Sequence, residues 1–239
     1  MKGQKIAIAG AGVGGLVAAL ALLRRGFEVE IHEQAPELKE LGAGLQLSAN
    51  GTRVLIELGL RDRIEPIACV PEGKEVRLYS TGQTWKLFDL GESSVERYGA
   101  PYWMVHRGDL HTALIDAVRE AGPGVLRLGR KLTGFEQTPD GVTMSFENGE
   151  RAQADVLIGA DGVHSVVRQE LFGAMPAQFM GVAAWRGLVP MERLPARLRR
   201  LVGSNWVGPG GHVITYPLRA GALLNFVAAI ERDNWAVES

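Results

Sequence analysis

The sequence predicts a mixed α/β fold in which a βαβ unit opens the chain and a second, mainly β region follows residue 172. Three observations predict it. An apolar strand, a glycine-rich turn, an apolar helix and an alternating strand succeed one another within residues 5–33. Two hairpin signals, Asp140-Gly141 and Asn148-Gly149, divide residues 132–158 into a three-stranded meander. Beyond Phe172, short apolar runs alternate with segments rich in Gly, Pro and Arg, the pattern of strands and loops.

Ile6-Ala7-Ile8-Ala9 is a short apolar run of the buried-strand kind. It enters Gly10-Ala11-Gly12-Val13-Gly14-Gly15, a G-x-G-x-x-G. Leu16 to Arg25 is rich in Ala and Leu, reads as a helix, and is stopped by Gly26. Phe27 to Ile31 alternates as a strand, and Glu33 stands beyond its carboxyl end, 18 residues after Gly15. Gly10 permits the sharp turn, Gly12 lets a pyrophosphate approach the backbone, and Gly15 lets helix and strand pack closely. The helix start offers N–H groups and the positive end of a dipole to that phosphate. Glu33 lies where a carboxylate would accept the adenosine ribose hydroxyls, and it disfavours a 2′-phosphate. The expectation is a Rossmann-like dinucleotide site built from Gly10, Gly12, Val13, Gly14, Gly15, Glu33 and Gln34. An ordinary glycine turn is the bland alternative, and it leaves Glu33 a coincidence.

Gln34 to Leu41 is polar, contains Pro36, and reads as a loop. Leu41 to Leu47 is a glycine-rich apolar strand along which a planar ligand could approach the backbone. Asn50 to Leu58 has helical spacing with Gly59 as its stop, and Arg53 on it is equally a solvated charge or a ligand contact. Lys74 to Leu90 reads as two strands about Thr81-Gly82, and Glu92 to Pro101 as a polar loop. Tyr102 to Arg107 is a strand. Asp109 is the expected N-cap of a helix whose apolar stripe is Leu110, Leu114 and Val118. The meander strands are Leu132–Gln137, Val142–Glu147 and Gln153–Ile158, followed by Gly159-Ala160-Asp161-Gly162 and a helix over Ser165–Leu171. Val182–Leu188, Gly211–Pro217 and Leu223–Ile230 are the strands of the last region. Residues 1–73 and 101–172 are therefore expected to form one domain, and 74–100 and 173–239 a second.

The chain has 239 residues, 46% hydrophobic and 22% charged, which is enough and suitable for a globular core. A net charge of −1 suggests neither a nucleic-acid partner nor an anionic membrane surface. Cys69 is the single cysteine, so no internal disulfide can form, and a reducing, cytoplasmic compartment fits. The apolar run to Leu23 is broken by its glycines and is not a signal peptide, and no apolar stretch is long enough to span a bilayer. His32, His106, His111 and His164 have no metal-ligand spacing and are expected at the surface or behind a site. No nucleophile-elbow motif occurs.

Three stretches together resemble one family, the single-component (class A) FAD-dependent aromatic hydroxylases. They are the glycine unit ending at Glu33, the segment GADGVHSVVR at residues 159–168, and HRGDLH at residues 106–111. Within that family GAGLQLSANGTRVL (42–55), AAWRGLVP (183–190) and GPGGHVITYPL (208–218) look most like the salicylate, 3-hydroxybenzoate and 6-hydroxynicotinate hydroxylases. The resemblance implies FAD as cofactor, with Asp161 and Gly162 near its ribose, Arg107 and Gln46 along it, and Leu132 at its adenosine end. Gln46 stands where the 6-hydroxynicotinate enzymes carry a histidine, which weakens that substrate assignment. It also implies that His212 and Tyr216 are the catalytic residues of a substrate pocket. Strand alternation independently puts His212, Ile214 and Tyr216 on one face, with the outer pair about 13 Å apart. A half-buried strand face is the alternative for that pair.

By the same resemblance the reaction is hydroxylation of a small aromatic acid with NAD(P)H as co-substrate and O2 as oxidant. His212 would remove the substrate's hydroxyl proton, because an ionised phenol is the better carbon nucleophile, and Tyr216 would orient it. The family's third FAD motif is not in this sequence, so the second domain is expected to be incomplete and FAD to be held weakly. Uncovered sheet surface would favour a homo-oligomer. Two alternatives stay open: a non-catalytic FAD- or nucleotide-binding remnant, and another flavoenzyme of this fold, an epoxidase or FAD-dependent reductase.

Overall fold

The structure, a computed structural model, describes residues 3–38, 42–175 and 178–233. In chain order the elements are β1 (Lys5–Ala9), α1 (Val13–Leu23), β2 (Glu28–His32), β3 (Gly44–Leu47), α2 (Ala49–Glu57), α3 (Arg61–Ile64), β4 (Gly73–Leu78) and β5 (Thr84–Asp89). There follow α4 (Glu92–Tyr98), β6 (Trp103–His106), α5 (Arg107–Ala121), β7 (Leu126–Arg127), β8 (Leu132–Thr138), β9 (Gly141–Phe146), β10 (Arg151–Ala154), β11 (Val156–Gly159) and α6 (Val166–Phe172). The last strands are β12 (Val182–Pro190), β13 (Val202–Gly208), β14 (Gly211–Leu218) and β15 (Leu223–Glu231). The chain divides into two compact units, residues 1–40 with 111–176, and residues 41–110 with 177–239.

The first unit carries a parallel sheet of order β11-β1-β2-β7. β1 at its centre is buried on both faces, which is why it is a continuous apolar run and not an alternating one. Ala7 and Ala9 pack on Leu132, Val142, Met144, Phe146 and Val167, so one face of β1 carries the antiparallel sheet β10-β9-β8 and α6. Small side chains on β1 let these layers approach. The third meander strand differs from expectation. Residues 151–154 pair with β9, whereas Val156–Gly159 leave the meander and pair in parallel with β1. Asp155 makes the division, since its N–H donates to the Lys5 carbonyl and its carboxylate accepts from the Lys5 N–H at 2.7 Å.

The second unit is a six-stranded sheet of order β12-β15-β14-β13-β4-β5 together with the pair β3-β6. Neighbouring strands joined by hairpins are antiparallel; β4 and β13, which lie far apart in the chain, are parallel. Cys69, Leu90, Tyr102, Met104, Tyr216 and Leu218 form a core cluster here. Residues 42–73 and 101–110, expected with the first domain, therefore group by compactness with the second unit. The reason is that β3 pairs with β6 and Tyr216 packs over Gly44.

Several local expectations change. The polar loop at residues 92–98 is a helix, closed by Gly99 in the left-handed conformation (φ 70°). It buries only Ser94, so no apolar stripe announced it. Arg53 donates from Nη2 to the Tyr98 carbonyl near the end of that helix, which is a structural use of this residue. Asp109 is not the N-cap of α5, because the helix already starts at Arg107; its carboxylate instead receives a two-pronged bond from Arg219 at 2.8 and 2.6 Å. β13 was not anticipated, since glycines at both of its ends and Asn205 within it blur the alternation. Residue 41, the start of one expected strand, lies outside the described residues.

Candidate functional site

Three loops leave the carboxyl ends of three adjacent parallel strands. Gly10 follows β1, Glu33 follows β2 and Asp161 follows β11, and β1 lies between the other two. In an open parallel sheet this is the edge where ligands bind.

The glycine loop is built by backbone contact. Gly10 has φ +100°, and a Cβ there would lie 2.4 Å from the Ala160 carbonyl oxygen. A Cβ on Gly15 would lie 2.0 Å from the Gly10 carbonyl oxygen, so no larger residue fits without displacing main chain. Gly12 and Gly14 differ, because a Cβ on either meets nothing within 4 Å. That space opens over the start of α1, whose N-cap Gly12 supplies no side chain to its N–H groups. Val13, expected with this set, is the first helical residue. An uncapped helix start under open space suits an anion such as a diphosphate.

Glu33 does more than the sequence suggested. Its Oε2 accepts from the Ala11 N–H at 2.7 Å and its Oε1 from the Ala35 N–H at 2.9 Å, so it ties the glycine loop to the loop after β2. Each oxygen keeps a further acceptor site for a ribose hydroxyl. Gln34 beside it is exposed. Leu132 is buried at the start of β8, paired with Phe146.

Asp161 organises its own turn. Oδ1 accepts from Ser165 Oγ at 2.5 Å, and Oδ2 accepts from the Val166 and Val167 N–H groups at 2.7 and 3.2 Å. Ser165 Oγ in turn accepts from the Arg168 N–H, capping α6. Gly162 is left exposed at φ +81° with open space above it.

In the second unit Arg107 donates its N–H to the Ala43 carbonyl, and its side chain covers Gly42. Gln46 on β3 accepts from the Tyr102 hydroxyl at 2.9 Å. Tyr216 is buried against Gly44, where a Cβ would lie 2.4 Å from its ring, and burial pushes its hydroxyl pKa up. His212 stands on the same side of β14, but it is exposed. It lines an open groove of about 540 Å³ with Tyr79, Trp185, Trp206 and Ile230. The shared strand face holds, while the two side chains meet different surroundings.

His164 is exposed, whereas two other histidines are not at the surface. His32 and His106 are buried. His32 tilts against Phe146, and neither ring nitrogen has a hydrogen-bond partner among the described residues. Burial pushes its pKa from 6.5 to about 4, with Glu30 opposing and nearby cations assisting. His111 lies behind the glycine loop, one of the two places expected for it. Its Nε2 meets the Ala11 carbonyl inside the glycine loop at 2.7 Å, and no local spacing signals a contact across a hundred residues. Among the described residues no helix is long and apolar enough to cross a membrane.

The profile of the FAD binding domain family matches residues 4–207. This chain belongs to that family. It is 40% identical over 234 residues to a 3-amino-4-hydroxybenzoate 2-monooxygenase, PtmB3 of Streptomyces platensis, covering 98% of this chain and 58% of that protein. It is 35% identical over 235 residues to the 3-hydroxybenzoate 6-hydroxylase of Polaromonas naphthalenivorans (strain CJ2), covering 97% and 58%. Among solved structures, Klebsiella pneumoniae HpxO complexed with FAD and uric acid superposes with a TM-score of 0.84 at 28% identity, covering all of this chain and 59% of that one. The chain thus spans somewhat under two thirds of the length of these relatives.

Proposed function

We propose that this chain is the FAD-binding part of a monooxygenase that hydroxylates a small, hydroxybenzoate-like aromatic acid with NAD(P)H and O2, in the cytoplasm. The observation that carries the reading is the delivery of the glycine loop, Glu33 and the Asp161 turn to one edge by adjacent parallel strands. The names of the curated relatives support the substrate class. FAD, when bound, supplies the redox chemistry by which electrons from NAD(P)H and one atom of O2 reach the ring.

The protein's own residues then have separable tasks. The N–H groups at Gly12, Val13 and Gly14 and the dipole of α1 hold the diphosphate. Glu33 holds the adenosine ribose while it also fixes Ala11. Asp161 shapes the turn that presents Gly162, and Gln34, Gln46, Arg107 and Leu132 complete the cofactor contacts. His212 accepts the substrate's hydroxyl proton as the ring becomes the nucleophile. Tyr216, whose pKa is raised by burial, stays protonated and acts as a hydrogen-bond donor that orients the substrate. The exposed apolar side chains Trp185, Leu188 and Ile230 of the second unit's sheet favour self-association.

The test is a flavin absorbance titration with a panel of hydroxybenzoates and 6-hydroxynicotinate, run beside NADH oxidation. Retained FAD, a spectral change with one acid and faster NADH use in its presence are expected. FAD retained with no response to any aromatic acid would favour another flavoenzyme of this fold. Colourless protein that takes up no FAD would overturn the reading. His212→Ala should bind FAD normally and lose hydroxylation coupled to NADH use.

A further inference from the structure

Ala11 lies between Gly10 and Gly12, and both of its flanking peptides are held. Its N–H donates to Glu33 Oε2, and its carbonyl oxygen meets His111 Nε2, both at 2.7 Å. A carbonyl oxygen can only accept, so Nε2 carries the proton, which fixes the tautomer or charge state of the ring. The Ala11 side chain is buried, so the residue has no slack on that side either. His111 rides on α5, whose Leu114 and Val118 are fully buried, so the donor is presented from a fixed base. Among the described residues no peptide bond is cis. In a trans peptide, C=O and N–H point in opposite directions. Holding the Ala11 carbonyl toward His111 therefore turns the Gly12 N–H, on the same peptide plane, away from it. Gly12 is also where a side chain would meet only open space. With φ near −69° and ψ near 176°, Gly12 gives the loop no special backbone constraint of its own, so the orientation has to come from outside.

We infer that His111 is a positioning residue of the dinucleotide loop: through the Ala11 carbonyl it sets the peptide plane whose Gly12 N–H receives the diphosphate. This rests on the FAD reading above. Glu33 and His111 then act as a pair of fasteners on the two peptides that flank the Ala11 Cα, one from the end of β2 on the Gly10–Ala11 peptide and one from α5 on the Ala11–Gly12 peptide.

The experiment titrates FAD, by quenching of flavin fluorescence, into the wild-type chain, His111→Leu and His111→Gln, with the thermal midpoint of each apo protein measured alongside. Leu keeps the bulk and loses the donor; Gln places an amide N–H close to where Nε2 lies. Loss of one net hydrogen bond predicts FAD affinity about tenfold weaker in His111→Leu. ADP, which also carries a diphosphate, should compete for His111→Leu more weakly by a similar factor. His111→Gln should recover to within roughly threefold of wild type, since one comparable hydrogen bond is restored. Two results would overturn the inference: equal affinity in wild type and His111→Leu, or His111→Gln as weak as His111→Leu with matching thermal midpoints. If His111→Leu does not fold, His111→Asn, whose amide is too short to reach Ala11, replaces it with the same expected loss. Wild-type protein that takes up no FAD overturns the FAD reading itself, a result distinct from either.

Discussion

The glycine loop of the first unit and strand β14 of the second hold the candidate residues in opposite ways. The loop is made of main chain pressed on main chain: Gly15 on Gly10, and Gly10 on Ala160. On β14 the contacts are made by side chains, with the Tyr216 ring over the Gly44 backbone and His212 at an open groove. Backbone against backbone has no rotamer to change, whereas a ring over a glycine can tilt. The first arrangement is fixed by fold, and the second by packing.

Gly15→Ala is the strongest way to break this contrast. Its new Cβ has nowhere to go, so a loss of roughly 4 kcal/mol in urea unfolding is expected, together with loss of saturable FAD uptake. Acidification comes next. His32, whose carbonyl accepts from the Gly10 N–H, binds its proton near pH 4 in the folded protein and near 6.5 unfolded. The unfolded state thus takes up the proton first. Stability is full above pH 6.5 and falls between 6.5 and about 4, by on the order of 3 kcal/mol. His32→Leu should flatten that window in denaturant melts. The carboxyls of Glu30 and Glu75 contribute lower down. Burial raises both, but the cations and hydrogen bonds around them more than offset it, so their share is lost only below about 4.5. Gly44→Ala should cost less than Gly15→Ala, about 1–3 kcal/mol, because the Tyr216 ring can shift. Equal losses in the two variants would erase the distinction. The smallest effect is expected from Asp161→Ala, about 1 kcal/mol from the lost bonds to the first N–H groups of α6, measured by the same melts.

The elements that could be read from residues alone were those whose signals are local. The G-x-G-x-x-G, the helix behind it and Glu33 lie within one short stretch, and the Asp-Gly and Asn-Gly turns mark their own hairpins. What escaped depends on distant partners. The step at Asp155 follows from its pairing with Lys5, and β13 from its parallel partner β4. Asp109 was misread as a cap because its actual partner, Arg219, comes 110 residues later. Helix α4 escaped for another reason, being short, polar and nearly solvent-bound. At the site, the glycines and Glu33 were legible as motif members. The Glu33–Ala11–His111 fastening was not, since motif spacing says nothing about which helix comes to rest against a loop.

The contact of Gly10 with Ala160 also orders events in time. During synthesis the glycine loop leaves the ribosome well before the wall it leans on, which follows about 150 residues later. At about 5–20 residues per second, β1 waits roughly 8–30 seconds for β11. During that interval its apolar backbone has an unpaired edge of the kind that recruits other strands. The glycine loop is thus begun early and closed late, and in the interval the growing chain carries an unpaired strand edge at that segment.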